Sequence, residues 1–315
     1  MSEKPIVVVG SINIDLVVHV ERIPARGETL PGWDFGTHPG GKGANQAAAV
    51  SRLGYPVAMI GRVGSDVFGE ELRQALADAG VDTRAISVSE GPTGTAMILV
   101  QPAGDNSIIV TPGANARVGP EDLDAQLDVL RGAAMVLTQL EIPLATVEHL
   151  AAICAREGVP LMLDPAPARD LPAVIWRDLA WITPNDTEAR LLCGRPNSAS
   201  AGEPTATIEA LTALGAKNIA LKLGAQGAYL GLADGMRAKV PAFAVSAADT
   251  TGAGDAFNGA FAVALVRGED PRQAARFAAA AAAVSVTRRG ALSSMPTRAD
   301  VDSLMERHLP QELAR

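Results

Sequence analysis

Apolar residues fall into two rhythms along this chain, and the change between them marks its parts. Ile6-Val-Val-Val9 followed by Gly10 is a short continuous apolar run closed by a turn residue, which predicts a first strand buried on both faces. Residues 12–40 alternate instead. Leu16-Val-Val-His-Val20, a break at Pro24–Gly27 and Gly32-Trp-Asp-Phe35 predict short antiparallel strands. From residue 43 the pattern becomes helical: Ala44-Asn-Gln-Ala-Ala-Ala-Val-Ser-Arg-Leu53 predicts a helix over 43–53, closed by Gly54. Val57–Gly61 predicts a strand and Gly69–Ala79 a helix ended by Gly80. A second alternating pair, Gly94–Val100 and Ser107–Val110, flanks a hairpin-like connection, Pro102-Ala-Gly-Asp-Asn106.

Beyond about residue 120, strands and helices take turns. Strands are expected at Met135–Gln139, Pro160–Asp164, Trp181–Thr183 and Ile219–Leu223, with helices around 144–157, 186–193, 205–214, 253–266 and 271–286. Such alternation predicts an α/β fold with a parallel sheet and right-handed crossovers. The two early β pairs do not fit that sheet. They are expected to form a small lid sheet, inserted at about 12–40 and 93–112 into a single domain spanning 1–315.

Composition agrees with a buried parallel sheet. Of 315 residues 48% are apolar and only 3% aromatic, so the core must be built from Ala, Val, Leu and Ile. A formal net charge of −8 repels nucleic acid and anionic membranes, so neither is an expected partner. Cys154 and Cys193 lack metal-ligand spacing and read as reduced thiols of a cytoplasmic protein. Neither Ile6–Val9 nor Ala278–Val286 is long enough for a signal segment or a membrane span. His19, His38, His149 and His308 are scattered and predict no zinc site.

The strongest chemical signal is Asp249-Thr-Thr-Gly-Ala-Gly-Asp255. Thr251-Gly-Ala-Gly254 presents amides free of bulky side chains just before an apolar helix, and helix N-termini hold anions. Phosphoryl transfer asks a protein mainly to position groups and stabilise spread negative charge. The amides of Gly252, Ala253 and Gly254 suit the transferring oxygens, and Asp255 suits a general base for an attacking hydroxyl. The plainer reading, an acid that merely favours a helix N-terminus, leaves the rest of the run without a purpose.

Gly36–Lys42 imitates the phosphate-binding pattern G-x-x-x-x-G-K, but Gly43 stands where that loop needs a hydroxyl for Mg²⁺, and no buried strand feeds it. The glycines read better as a turn, at Gly41 and Lys42, that lets a polyol approach the backbone while Asn45 points into the site. Asn13 and Asp15 share a strand face and can bond adjacent hydroxyls, although Asn-x-Asp alone also fits a solvated turn. Glu141 lies just past a strand C-terminus, where open α/β sheets bind ligands, or is an exposed loop acid. Asn185 and Glu188 have the spacing of a capping box, and equally of groups that order water and Mg²⁺ near phosphates. Lys222, before the turn Gly224-Ala-Gln-Gly227, reaches either phosphates or solvent. Ala278–Val286 is either a closely packed helix or an apolar wall for adenine.

With these segments in place, the chain resembles the ribokinase branch of the PfkB carbohydrate kinases from about residue 6 to 307. Gly10–Asp15, Gly40–Gln46, Gly113–Ala116, Gln139–Glu141, Asp164–Ala168 and Asp249–Asp255 carry the resemblance in order. It implies a ribokinase-like three-layer sandwich with a mostly parallel central sheet and a β lid that doubles as a homodimer contact. It implies ATP-dependent phosphorylation of D-ribose at its primary 5-hydroxyl, with Mg²⁺ on the phosphates. Implied sugar contacts are Asn13, Asp15, Gly41, Lys42, Asn45 and Glu141, with apolar lid contacts from Ala96, Ile98 and Ile108. Implied nucleotide contacts are Asn185, Lys222, Gly224, Gly227, Gly254 and Asp255. An activating K⁺ would be held by Asp249, the Thr251 carbonyl, the carbonyls of Ser285, Arg288 and Gly290, and Ser294. The chain departs from the branch at Ala279, often polar there, and at Lys222, commonly Thr or Ser. Rival readings are a kinase for a ketohexose, deoxyribose or a nucleoside, and a non-catalytic sugar-binding protein. The Asn13, Asp15, Asn45 and Glu141 set argues against nucleosides, and Asp255 with Gly252–Gly254 against a non-catalytic role.

Overall fold

The computed structural model describes residues 3–102, 105–194 and 203–308. Its strands in chain order are β1 Ile6–Val9, β2 Asn13–Val20, β3 Gly32–Gly40, β4 Val57–Gly64, β5 Ile86–Ser89, β6 Gly94–Val100, β7 Asn106–Thr111, β8 Met135–Thr138, β9 Leu161–Leu163, β10 Trp181–Ile182, β11 Ile219–Lys222, β12 Ala228–Gly231 and β13 Arg237–Val240. Nine form one sheet in the order β13-β12-β11-β10-β9-β8-β1-β4-β5, and four form another, β3-β2-β6-β7. The large sheet is parallel except at its β12–β13 edge, which pairs antiparallel. The expected alternation is present, and this antiparallel edge is an addition to it.

β1 shows why the sheet is covered on both sides. All four of its side chains are fully buried, Ile6 and Val8 in one core and Val7 and Val9 in the other. The first core contains the helices Lys42–Arg52, Ala253–Val266 and Pro271–Ser285; the second contains the helix Leu144–Glu157. This is the three-layer ribokinase-like sandwich.

Small residues set the spacing of the first layer. A Cβ at Gly259 would lie 2.7 Å from the Ala49 Cβ, so the helices Lys42–Arg52 and Ala253–Val266 approach more closely than side chains normally permit. Pro271–Ser285 starts with Asp270 accepting from the amides of Arg272 (3.0 Å) and Gln273 (3.3 Å), and its alanines pack against the same central helix. Expected helix positions 43–53, 69–79, 144–157 and 253–266 agree with the observed bounds to within two residues. The helix Arg298–Arg307, capped by Thr297 and Asp300, was not expected.

The four-stranded sheet is the lid. β2 pairs antiparallel with β3 and parallel with β6, which pairs antiparallel with β7. The centre of the expected hairpin connection, residues 103–104, lies outside the described residues. Because paired residues share a face, Asp15, Ala96 and Val110 stand together, as do Val17, Ile98 and Ile108. Met97 and Ile109 face the other way.

Candidate active site

Asp255 sits in the first turn of the helix Ala253–Val266, whose N-cap, Gly252, has φ +76°. That conformation favours glycine, and a Cβ there would also press on the Met295 side chain at 3.1 Å. The Asp255 side chain is buried, and the close helix packing brings it two donors. Asn45 Nδ2 donates to one carboxylate oxygen and Gln46 Nε2 to the other, each at 3.0 Å. Burial pushes the Asp255 pKa up; Lys42 opposes this, Asp164 adds to it, and the two amides oppose it, leaving about 6. A carboxyl group poised there is a proton acceptor at neutral pH. Gly254 and Asp255 belong to the first helical turn, where amides lack intrahelical acceptors. The Ala253 amide instead donates to the Thr250 carbonyl at 3.2 Å.

Of the residues expected on the sugar side, Asn45 bonds this carboxylate, and Asp15 and Lys42 lie near enough to act on its charge. Gly41 has φ +92°, and a Cβ there would lie 2.7 Å from the Asn13 amide nitrogen; one at Gly40 would lie 2.4 Å from Asp15 Oδ2. Both glycines are therefore required by the passage of β2 beside the turn. Glu141 anchors the turn from below, accepting from Ser11 Oγ at 2.5 Å and from the Lys42 amide at 3.2 Å. Asn13 Oδ1 accepts from Asn115 Nδ2 at 2.7 Å, and Asn115 also bonds both backbone groups of Ile12. Burial first, then the charges of Glu141 and Asp255, raise the Asp15 pKa to about 7. Asn45 Oδ1 is buried with no hydrogen-bond partner among the described residues. A buried acceptor is normally satisfied, so this atom is available to a ligand hydroxyl. Burial works against the charge on Lys42, but Asp255, Asp164, Glu141 and Glu188 together raise its pKa above the ordinary value.

A cavity of about 540 Å³ opens on the far side of Gly254. Lys222, Gly224 and Gly227 line one end, and Ala279, Ala283 and Phe257 supply apolar wall. The close-packing role of the Ala-rich helix and the wall role thus coexist. Gly227, at φ +90°, could carry no side chain: a Cβ would lie 2.1 Å from the Val240 carbonyl oxygen. Lys222 does not face solvent; its ammonium bonds Asp164 Oδ1 at 2.8 Å. Asn185 and Glu188 form the capping box, with Asn185 Oδ1 accepting from the Glu188 amide at 2.8 Å and Glu188 Oε2 from the Asn185 amide at 2.7 Å. The capping-box reading of that pair is observed, and the Glu188 carboxylate also bears on the charges of Lys222 and Lys42.

The loop ahead of the helix is held by Asp249. Its Oδ1 accepts from the Thr251 amide and hydroxyl at 2.9 and 2.7 Å, and its Oδ2 from the Gly290 amide at 2.9 Å. These bonds outweigh partial burial and lower its pKa. Ser294 Oγ donates to the Ala291 carbonyl at 2.8 Å, the Ser285 carbonyl accepts from the Arg288 amide at 3.0 Å, and the Arg288 side chain pairs with Asp300. The Gly290 amide nitrogen points at Asp249, and the oxygens of Asp249, Thr251 and Ser294 have partners within the chain; their remaining lone pairs are of the oxygen type that a hard cation takes. Among the described residues no group of three His, Cys, Asp or Glu side chains is placed to hold a metal. No helix of the described residues is long and apolar enough to cross a membrane.

Five residues that spacing alone gave no role bond to the residues described above: Ser11, Gln46, Asn115, Gln139 and Asp164. Gln46 Nε2 donates to Asp255 and also to Asp164 Oδ2 at 3.1 Å, while Gln46 Oε1 accepts from Gln139 Nε2 at 2.9 Å. The signal that points to them is the motif text itself: Gln46, Asn115, Gln139 and Asp164 all lie inside the runs that carry the resemblance.

The model of the pfkB family of carbohydrate kinases matches residues 3–298. The chain is 41% identical over 301 residues to the ribokinase of Bacillus subtilis, covering 95% of this chain and 99% of that protein. It is 37% identical over 294 residues to the deoxyribokinase of Salmonella typhi, covering 93% and 95%. The structure of Arabidopsis thaliana ribokinase complexed with ribose and ATP superposes with a TM-score of 0.90 at 38% identity, covering 97% of this chain and 99% of that one. A buried carboxylate at a glycine-rich helix start, facing a glycine turn beneath a β lid, is thus found in a chain that belongs to the pfkB family of carbohydrate kinases.

Proposed function

We propose that this chain transfers the γ-phosphoryl group of ATP to the 5-hydroxyl of D-ribose. The observation that carries the reading is the buried Asp255 carboxylate, held by Asn45 and Gln46 between the glycine turn and the open amides of its own helix. Ribose and ATP come from the ribokinases and from the ribokinase complex that the chain is similar to.

The residues divide the work as follows. Asn13, Asp15, Gly41, Asn45 and Glu141 form a polar floor for the sugar, and Ala96, Ile98, Ile108 and Val110 give the lid face above it an apolar surface. Ile108 and Val110 are about half exposed, 52% and 48%, and closing the lid over sugar would cover them and exclude water. Asp255 removes the hydroxyl proton as the new O–P bond forms and the bond to ADP breaks. The Gly252 and Gly254 amides and Lys42 meet the negative charge on the transferring oxygens. ATP occupies the cavity, with phosphates toward Lys222, Gly224 and Gly254 and adenine along Ala279 and Ala283.

Mg²⁺, entering with ATP, supplies charge neutralisation on the phosphates, and Asn185 and Glu188 are placed to order its waters. K⁺ bound by Asp249, Thr251, Ser285, Arg288, Gly290 and Ser294 would stiffen the loop that shapes the anion site. The protein works in the cytoplasm as one kinase domain with inserted lid strands, and dimerises through the lid face bearing Met97 and Ile109, which are 51% and 64% exposed. The likeness to a deoxyribokinase keeps 2-deoxyribose as a second acceptor.

ATP turnover on a panel of ribose, deoxyribose, fructose and a nucleoside, with and without K⁺, tests the reading. Ribose should give the highest kcat/KM, and omission of K⁺ should lower it. A preferred nucleoside or ketohexose would refute ribose as substrate.

A further inference from the structure

Lys222 faces two ways. Its Nζ bonds Asp164 Oδ1 at 2.8 Å, and both side chains are largely withdrawn from solvent. The same Nζ lies where a Cβ on Gly254 would be only 3.4 Å away, and Lys222 and Gly254 line the same end of the 540 Å³ cavity. Asp164 in turn shares a donor with the base. The Gln46 amide nitrogen gives one hydrogen to Asp164 Oδ2 at 3.1 Å and the other to Asp255 Oδ1 at 3.0 Å. Gln46 cannot turn over to spare either carboxylate, because Gln139 Nε2 holds its oxygen at 2.9 Å. A continuous chain of contacts therefore runs from the nucleotide cavity to the catalytic carboxylate, through Lys222, Asp164 and Gln46.

We propose that Lys222 changes partner during the reaction cycle: it neutralises Asp164 in the nucleotide-free enzyme and passes to a nucleotide phosphate at Gly254 when ATP binds, so that ATP arrival acts on Asp255 through Asp164 and Gln46. This proposal rests on the ATP-binding reading of the cavity. Its physical content is competition for one ammonium. An Asp164 carboxylate and a phosphate oxygen offer the same kind of charge-assisted bond, and one ammonium on a flexible stem can move between them.

The release has a direction. Asp164 is among the charges that strengthen proton binding by Asp255, and Lys222 offsets it while paired. Moving the ammonium onto ATP unmasks Asp164 and makes Asp255 a stronger base when a phosphoryl donor is in place. Other charged groups that face Asp255 are Lys42 from the first helix, which also meets the transferring phosphoryl group, and Asp15 from the lid, while Glu188 acts on Lys222 and Asp164. Asp164 and Gln46 are thus positioning residues, acting through Asp255 and Lys222 rather than on substrate.

A double-mutant cycle on nucleotide binding tests the exchange without relying on turnover. Binding of a non-hydrolysable ATP analogue would be measured by calorimetry for wild type, Asp164→Asn, Lys222→Met and the double variant. Ribose binding by each variant serves as the check of folding. The side-chain amide introduced by Asp164→Asn still offers Gln46 an oxygen but no longer competes for the ammonium. This variant should therefore bind the analogue about 5–10-fold more tightly, a coupling of about 1 kcal/mol. Lys222→Met should bind it about tenfold more weakly. In the Lys222→Met background, Asp164→Asn should change nothing. The acid limb of kcat should move down for Asp164→Asn and stay in place for Lys222→Met, whereas the acid limb of kcat/KM for ATP, which reports the nucleotide-free enzyme, should move up for Lys222→Met. An unchanged or weaker affinity in Asp164→Asn, or the same gain in both backgrounds, would overturn the proposal. Should Asp164→Asn fail to bind ribose, Asp164→Ser replaces it in the cycle, since it likewise removes the competing carboxylate, and the same change in analogue affinity with and without Lys222 would again overturn the exchange. Failure of the ATP reading is separate: wild type would then not bind the analogue at all.

Discussion

Asn45 Nδ2 donates to Asp255 Oδ2 at 3.0 Å, while Asn45 Oδ1 is buried without a partner among the described residues. One side chain therefore orients the base and offers an acceptor to a sugar hydroxyl other than the one the base must deprotonate, whose single hydrogen points to Asp255. Asn45→Ala removes both functions. It should lower kcat about 100-fold and raise the ribose KM, as loss of a site donor does elsewhere. Steady-state kinetics on the purified variant checks this; a change in KM alone would assign Asn45 to sugar binding only.

Two carboxyl groups in this site titrate near neutrality, and their pH signatures differ. Asp255, raised by burial to about 6, must be unprotonated to act as base. The kcat/KM for ATP, which reports the nucleotide-free enzyme, should fall roughly tenfold per pH unit below about 6 through this group. Asp15, raised by burial and by Glu141 and Asp255 to about 7, should show its titration in the ribose KM, rising as pH falls through 7.

The same shifts bear on stability with a definite sign. Both folded-state pKa values lie above the unfolded value of 3.8, so the folded chain holds protons that the unfolded chain releases. Their contribution is fully present below about pH 4 and is lost as pH rises through about 6 to 7. Asp15→Asn removes one of these liabilities and should raise Tm at pH 8, with little gain at pH 4. A thermal melt at the two pH values measures it; equal gains at both would contradict the assigned shift.

Gly41 is the turn position with least freedom. Its φ of +92° and the 2.7 Å approach of the Asn13 amide leave no room for a side chain. Gly41→Ala should cost about 1–3 kcal/mol from strain alone. Displacing β2 should raise the ribose KM at least tenfold while ATP-analogue affinity stays near wild type. Loss of both affinities together would place the turn in the nucleotide site instead.

Local patterns carried much of this architecture. The Ala run closed by Gly54 marked the helix that observation bounds at Lys42–Arg52, and the switch between alternating and continuous apolar runs separated lid from central sheet. Asp255 was legible because its glycines, helix start and carboxylate lie within seven consecutive residues. The link from Asp164 through Gln46 to Asp255 was not, because those bonds join residues 118 and 209 positions apart. Propensity and periodicity describe neighbours along the chain, whereas these contacts depend on the depth at which one helix packs on another. The antiparallel β12–β13 edge escaped for a related reason: four-residue strands around a turn carry too little periodicity to stand apart from the preceding strand.

The central claim is that Asp255 takes the proton from the sugar hydroxyl. Asp255→Asn keeps the shape of the side chain and its site but removes the base. Ribose-dependent ATP turnover should fall by about three to five orders of magnitude, with ribose affinity by calorimetry within a few-fold of wild type. Turnover within about tenfold of wild type, with the variant correctly folded and binding ribose, would contradict the account.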